Sequence, residues 1–448
     1  MLLIQAFNVL RGRLECGIAL VFVTLFLGTG LAAYSIGPIP IQWLAQAWFI
    51  VLAAALILGL KRVRIVPGWL VLVMFIGWGL VVNALNLGRF AAEMPALASL
   101  PYELFIIARY INLLSFTAVL YLTFWLLTQG YSKSLTNWIV LIGVLVSLAA
   151  LYIYIANIYG LPEPHRSRLG TGGGEQATTF SYGYFFYNRA LGTFREPSHL
   201  AEWLLLPLFF SLTRSDKAAR VSTFIIGSTL LLTVSLGGII SFVIGIVAAI
   251  LINNPLRMRN LKRLIGITVA LSILAVGLQL VSIGIGGEVL NIYSLVIFRI
   301  LEFLEGGVAA SNIGFVYEFL AENPFPLLGY GLGNANIFFS NVTGNDLVVS
   351  YLSLYINVLF STGIVGFGLL LFFLLRPIIQ VAGKKGRGEF GQSPVFLMTY
   401  LAYLVFFGVR AEELSVTFAI SAAYLTYQGA LGSRLHGQRH TIRGCSEC

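Results

Sequence analysis

Apolar positions along this chain come in unbroken runs of roughly 17 to 25 residues, not in the alternation that marks half-buried strands or surface helices. A run of that length is what a helix needs to cross a hydrocarbon layer ~30 Å thick. The runs predict twelve spans, at about 14–36, 40–60, 66–87, 103–127, 137–159, 197–213, 219–235, 237–253, 264–285, 351–376, 394–409 and 414–431. The expected fold class is an all-α polytopic membrane protein of about twelve transmembrane helices. It forms one integral membrane domain over 1–431, followed by a disordered tail over 432–448.

Composition agrees: 58% of the residues are hydrophobic and 10% charged, against roughly a quarter charged in soluble domains. A soluble globular protein is excluded. The formal charge of +10 would suggest nucleic acid if the cations shared one folded soluble face. They do not. With the N-terminus in the cytoplasm, 20 of the 28 Lys and Arg fall on inner segments. The other eight (Arg89, Arg109, Arg166, Arg168, Arg189, Arg195, Arg299 and Arg410) fall outside with 14 of the 18 acids. This is the positive-inside distribution, so both termini are expected in the cytoplasm and no nucleic-acid partner is expected. Arg11 and Arg13 precede a first run without a small-residue cleavage site, which reads as a retained span. Cys16, Cys445 and Cys448 make no disulfide framework. The two aspartates, Asp216 and Asp346, leave no Asp-x-Asp metal site for a nucleotide-sugar donor.

Inner loops are short and basic, whereas two outer segments are long, about 160–196 and 286–350. Function is expected on that outer face, in loops and helix ends lining an aqueous cavity. In the first segment, Gly170 to Gly174 lacks the Gly-Lys-Ser/Thr ending and the preceding strand of a phosphate loop, so it reads as a flexible lid or linker. Pro197 suits a first helical turn, which sets the start of span six at Glu196–Pro197. His199 and Glu202 then share a face, with Arg195 just before them. These groups are either a site or an Arg195–Glu202 or Arg195–Glu196 pair that fixes the helix start. Arg109 lies six residues after Glu103, about 9 Å down span four. It is expected to face an outer cavity, with outward snorkelling as the alternative.

The second segment holds two amphipathic stretches, about 288–305 and 309–322. In the first, Leu290, Tyr293, Ile297, Ile300 and Leu304 follow helical spacing while Arg299, Glu302 and Glu305 fall elsewhere, as in a helix lying on a membrane surface. Gly329-x-Gly331-x-Gly333 has no βαβ unit around it and reads as a tight turn that needs positive φ or close backbone approach. Asn341-Val342-Thr343 fits a glycosylation sequon too short to carry a function. In the tail, His436, His440, Cys445 and Cys448 are spaced unusually for a zinc clip, so no metal site is expected.

Four segments, GTFREPSHLAEWLLLPLFF, LLLTVSLGGIISFVIGIVAAI, ENPFPLLGYGLGN and INVLFSTGIVGFGLLLFFLL, occur in that order over roughly 185–375. Their content and order resemble the Wzy-type O-antigen polymerase and O-antigen ligase superfamily. The resemblance implies a bacterial cytoplasmic-membrane enzyme acting on polyprenyl-diphosphate-linked oligosaccharides at the outer face, with no cofactor and no metal. A sugar hydroxyl attacks the donor's anomeric carbon and polyprenyl diphosphate leaves. That reaction asks for cations on the diphosphate and a base at the hydroxyl. The resemblance assigns the first role to Arg195, with Arg109, Arg189 and Arg299 as weaker candidates and Tyr330 and Asn334 as further substrate contacts. Glu196, His199 and Glu202 are the candidate bases. The implied partners are the lipid-linked oligosaccharide, membrane lipid and, as an open option, a chain-length-regulating co-polymerase.

The chain also departs from the family. Ligases typically open the helix after the glycine turn with His-Asn, where this chain has Tyr351-Leu352-Ser353. Ser235 is followed by Leu236-Gly237-Gly238, and Ser311 and Asn312 stand where arginines are usual. A polymerase is therefore expected first, a ligase-type transferase second, and a twelve-span transporter or lipid-glycan flippase third. Transporters usually show paired repeats and helices broken at mid-depth, and no six-plus-six similarity is visible here.

Overall fold

The computed structural model of the chain describes residues 2–37, 39–59, 65–98, 100–164, 166–167, 179–182, 185–214, 216–252, 282–285, 288–291, 312–322, 326–348, 350, 353–382, 393–409 and 411–444. These residues are mostly helical. In chain order the helices are α1 (Leu2–Thr29), α2 (Ile41–Gly59), α3 (Trp69–Ala92), α4 (Tyr102–Thr128), α5 (Ser132–Tyr159), α6 (Pro197–Ser211) and α7 (Lys217–Leu232). They continue as α8 (Leu236–Ile252), α9 (Asn312–Glu322), α10 (Asn334–Val342), α11 (Leu354–Ala382), α12 (Ser393–Val409) and α13 (Val416–Gly444).

Eleven of the twelve predicted runs overlap these helices, the first only as far as Thr29. Of the other, 264–285, residues up to 281 lie outside the described residues, and Ser282–Ile285 is a strand where a span was expected. Among the described residues, five helices are long and apolar enough to cross a membrane by length and composition: α2, α3, α4, Ser132–Asn157 within α5, and α11. At 15 residues, α6 is about 22 Å long and cannot cross ~30 Å of hydrocarbon alone.

Two expectations change. The stretch 288–305, read as one amphipathic helix, begins as a strand, because Glu288–Asn291 (β6) pairs antiparallel with Ser282–Ile285 (β5). Residues held in that ladder, with Ile285 opposite Glu288, cannot take the helical spacing read across the stretch. Arg299, Glu302 and Glu305 lie outside the described residues. The second difference is at the C-terminus, where α13 runs to Gly444 and takes in most of the stretch read as a disordered tail. Hairpins also form at Ser35–Ile36 with Ile39–Pro40 and, inside the first long loop, at Thr179–Tyr182 with Phe185–Asn188.

The core centres on α6, whose Leu204, Leu205, Leu206, Phe209 and Phe210 are fully buried. A helix apolar all round is stable only when enclosed on all sides, and α6 packs against α5, α7 and α12. At its C-terminal half Phe210 meets Phe396 of α12 and Tyr424 of α13 edge-on. The opposite end of α6 begins at Pro197, the first-turn position that its fixed φ suits.

Candidate functional site

Glycine determines the backbone on which the site is built. Gly329, Gly331 and Gly333 all have positive φ, at 89°, 104° and 85°, as the sequence led us to expect of a tight turn. A Cβ on Gly331 would lie 2.8 Å from the Asn83 amide nitrogen, so only glycine fits there. Helix α11 is broken at Gly363, where φ is 63° and ψ −165°. The break frees carbonyls that a membrane interior cannot hydrate, and the glycine turn takes them up. Tyr330 N–H donates to Phe360 O (2.8 Å) and Gly331 N–H to Ser361 O (2.7 Å), while the Trp78 indole donates to Thr362 O (2.7 Å).

The turn is also pinned to α3 and α4. The Asn83 Oδ1 accepts from Leu332 N–H and from the Tyr110 hydroxyl, both at 2.8 Å. Asn334, wholly buried, donates to Tyr330 O (2.8 Å) and accepts from the Tyr102 hydroxyl (3.1 Å). The Tyr330 ring sits against Phe338, Phe90 and Phe360, with the Arg89 guanidinium 5.6 Å from its centroid. Burial raises its phenol above the ordinary tyrosine value. Tyr330 and Asn334 thus hold the turn together, the role their contacts define.

Beside this turn is a small cavity of about 50 Å³, partly open to solvent, whose polar wall includes Arg109, Asn112, Asn357, Glu412 and Glu413. Arg109 and Asn112 are three apart on α4 and so share a face. Arg109 Nη1 pairs with Glu413 Oε1 and Asn112 Nδ2 donates to Glu413 Oε2. One carboxylate is therefore gripped at both oxygens. The Arg109 guanidinium also lies 4.7 Å from the ring centroid of Phe105, one turn earlier. Glu412 accepts from Asn336 Nδ2 at both oxygens, each at 3.1 Å, and its backbone carbonyl accepts from Asn357 Nδ2 (3.0 Å). The Glu412–Ser415 loop between α12 and α13 is thereby fastened to α4, α10 and α11.

The same loop reaches α6. Ser415 lies close to the Glu202 carboxyl and caps α13 by accepting from Phe418 N–H (3.3 Å). Glu202 Oε1 is buried with no hydrogen-bond partner among the described residues, and Tyr403 donates to the Glu202 carbonyl (3.1 Å). At the start of α6, Glu196 is exposed and accepts from the Ser198 hydroxyl (3.2 Å). His199 is exposed and Arg195 half-buried. The turn before Arg195 is held by Arg166, which donates to Gly192 O (3.2 Å) and Phe194 O (3.4 Å). Burial lowers the pKa of that guanidinium from its ordinary value, yet it stays charged at any physiological pH.

The loop that carries Glu413, the partner of Arg109, thus also approaches Glu202 in α6, and of the predicted groups around the start of α6 Glu202 is the one placed beside it. Arg189 has another setting: it donates to Thr233 O (2.9 Å) and Val234 O (3.4 Å), a cation at the carboxyl end of α7. Arg299 lies outside the described residues. Sequence reasoning missed Asn112, Asn336, Asn357, Glu412 and Glu413. The available signal was Arg410-Ala411-Glu412-Glu413, three charges in four residues between two apolar runs, which is costly unless the charges are paired or face water. No family model matches the chain, and no curated protein matches it.

Proposed function

We propose that the chain is a polysaccharide polymerase of the bacterial cytoplasmic membrane, joining polyprenyl-diphosphate-linked oligosaccharide repeats at the outer face. The observation that carries this reading is the charged and amide-lined cavity at Arg109–Glu413, whose loop also approaches Glu202 of α6. It offers some of what glycan transfer requires: fixed carboxylates and amides beside a guanidinium, in a space partly closed to water.

The step itself is a displacement. A carboxylate or imidazole takes the proton of the acceptor hydroxyl, that oxygen bonds to the donor's anomeric carbon, and the bond from that carbon to the diphosphate breaks. The electron pair leaves on polyprenyl diphosphate, and the proton stays on the base. For the diphosphate the candidates are Arg195, half-buried just before α6, and Arg299; Arg109 is paired with Glu413 and Arg189 donates to carbonyls at the end of α7. Glu196, His199 and Glu202 are the bases considered, and His199 has the accessibility the role requires.

Two other readings are an O-antigen ligase-type transferase and a transporter or flippase. The break in α11 is a feature a transporter would share, but the glycine turn and Trp78 occupy the carbonyls it frees. Deleting the gene and separating surface glycans by size tests all three readings. Loss of the long ladder with single repeats still on their normal acceptor supports the polymerase. Loss of all glycan from the acceptor moves the ligase or flippase ahead, and an unaltered ladder overturns glycan transfer altogether.

A further inference from the structure

Arg166 is a buried cation with no part in the proposed displacement. It keeps 7% of its exposure, yet its guanidinium donates to two backbone carbonyls, Gly192 O and Phe194 O, and not to a carboxylate. Burying a charge for that purpose is costly where a neutral donor or a water would satisfy the same carbonyls. The place of Arg166 is itself fixed. Ser167 Oγ accepts from Ser35 N–H (2.8 Å) and donates to Ser35 O (3.2 Å), and the Tyr152 hydroxyl donates to Pro162 O (2.6 Å). Glu163, whose charge acts on Arg166, accepts from Asn157 Nδ2 (3.3 Å).

The turn that Arg166 grips is fastened from other sides as well. Ala190 N–H donates to Leu232 O at the end of α7 (2.9 Å) and Ala33 N–H to Thr193 O (2.9 Å), while the Thr193 hydroxyl donates to Gly30 O just past α1. Gly192, with φ of 52°, lies against α5, where a Cβ would come 2.6 Å from the Ala150 Cβ. Phe194 packs against Trp203 of α6, whose indole donates to the Thr29 hydroxyl (3.1 Å). The ends of α1 and α7, the side of α5 and the loop after α5 thus converge on 190–194, and the next residue is Arg195. Arg166 ties the two ends of the first long loop together across 26 residues, so the placement of Arg195 does not depend on the conformation of the stretch between. A loop fastened residue by residue just before an arginine is what a preorganised site requires.

We infer that Arg166 is a positioning residue for Arg195: by clamping Gly192 O and Phe194 O it fixes the backbone from which the Arg195 guanidinium meets the donor diphosphate. The ligand in this assignment rests on the polymerase reading, whereas the clamp is a property of the fold alone. Arg166 touches no substrate. The planar fork of an arginine suits two carbonyls at once, and removing it leaves both unpaired in a buried turn. A shift of Arg195 by about 1 Å is then enough to spoil its contact with the diphosphate.

The test uses the full chain in nanodiscs, with the polyprenyl-diphosphate-linked repeat extracted from the gene-deletion strain as donor. Arg166→Gln should speed amide hydrogen exchange over 190–196 at least about tenfold while leaving 204–210 in the core of α6 unchanged, and should raise the KM for the repeat at least about fivefold. A merely structural role would lower the maximal rate through loss of folded protein and leave KM as it is. Arg166→Lys keeps the charge but loses the fork. It should move both readouts in the same direction by less, and it takes the place of Arg166→Gln if that variant does not fold. Unchanged exchange over 190–196 overturns the clamp, and faster exchange with an unaltered KM overturns the positioning of Arg195. The gene-deletion ladder reports on polymerisation independently. An unaltered ladder with faster exchange in the variant defeats the polymerase reading and leaves the clamp standing. A lost ladder with wild-type exchange and KM in the variant defeats only the role of Arg166.

Discussion

Arg109 and Glu413, 304 residues apart in the chain, form an ion pair whose side chains keep only 24% and 30% of their exposure. The pair joins α4 to the loop before α13, and Asn112 holds the second oxygen of the same carboxylate. An exposed pair is worth little, but a partly desolvated one leaves a costly orphan when either partner is removed.

Arg109→Ala and Glu413→Ala should each therefore destabilise the protein by about 2 kcal/mol, between the exposed and fully buried cases. The double variant should cost clearly less than the sum of the two. Unfolding in detergent across the four-member cycle measures this coupling. Strict additivity would mean that the pair contributes no interaction energy.

Gly331→Ala should destabilise more than a helical glycine change does. The left-handed backbone alone costs about 1–2 kcal/mol for an L residue, and the new Cβ would lie 2.8 Å from Asn83. Gly17→Ala in α1, where nothing lies within 4 Å, serves as the control and should cause no loss. Equal unfolding midpoints for the two variants would contradict the packing described for the turn.

Arg195→Ala should abolish chain elongation while leaving membrane insertion intact, since it removes a cation without altering span hydrophobicity. Unchanged glycan length in a stably expressed variant removes Arg195 from the proposed mechanism.

Chelation should leave polymerisation unaffected, because the scheme draws its positive charge from arginine. The assay is elongation in membranes with EDTA. Loss of activity that a divalent ion restores would contradict the scheme.

The sidedness read from the charges predicts opposite labelling at the two ends of the bundle. In a variant lacking Cys16, Cys445 and Cys448, a cysteine replacing Val342 should react with a membrane-impermeant maleimide in intact cells, and one replacing Lys217 should react only after permeabilisation. The reverse pattern would place the cavity on the cytoplasmic side and exclude chemistry on exported glycans.

Much of the fold was legible because hydrophobic run length is a local property. The runs located α2, α3 and α4 to within a few residues, since a span must satisfy its own backbone whatever surrounds it. Pro197 marked the start of α6 for an equally local reason, its fixed φ. The β5–β6 pairing was misread because Glu288–Asn291 finds a strand partner in Ser282–Ile285, which apolar spacing alone does not record. Arg109 was recognised as out of place in an apolar run, but its partner was not, because Glu413 becomes a partner only when α4 and α13 pack side by side.

The sequence by itself determined that this is a helical membrane protein, where most of its helices lie, and that its glycine turn needs left-handed backbone. Tertiary structure alone decided that Asn112, Asn357, Glu412 and Glu413 share a cavity, that Tyr330 and Asn334 support the turn, and that the break in α11 is filled by that turn. The physical reason is the range of the forces. Hydrophobic burial and φ preferences act on neighbouring residues and leave a readable pattern. An ion pair or a donated hydrogen bond depends on a meeting of distant segments that no local spacing records.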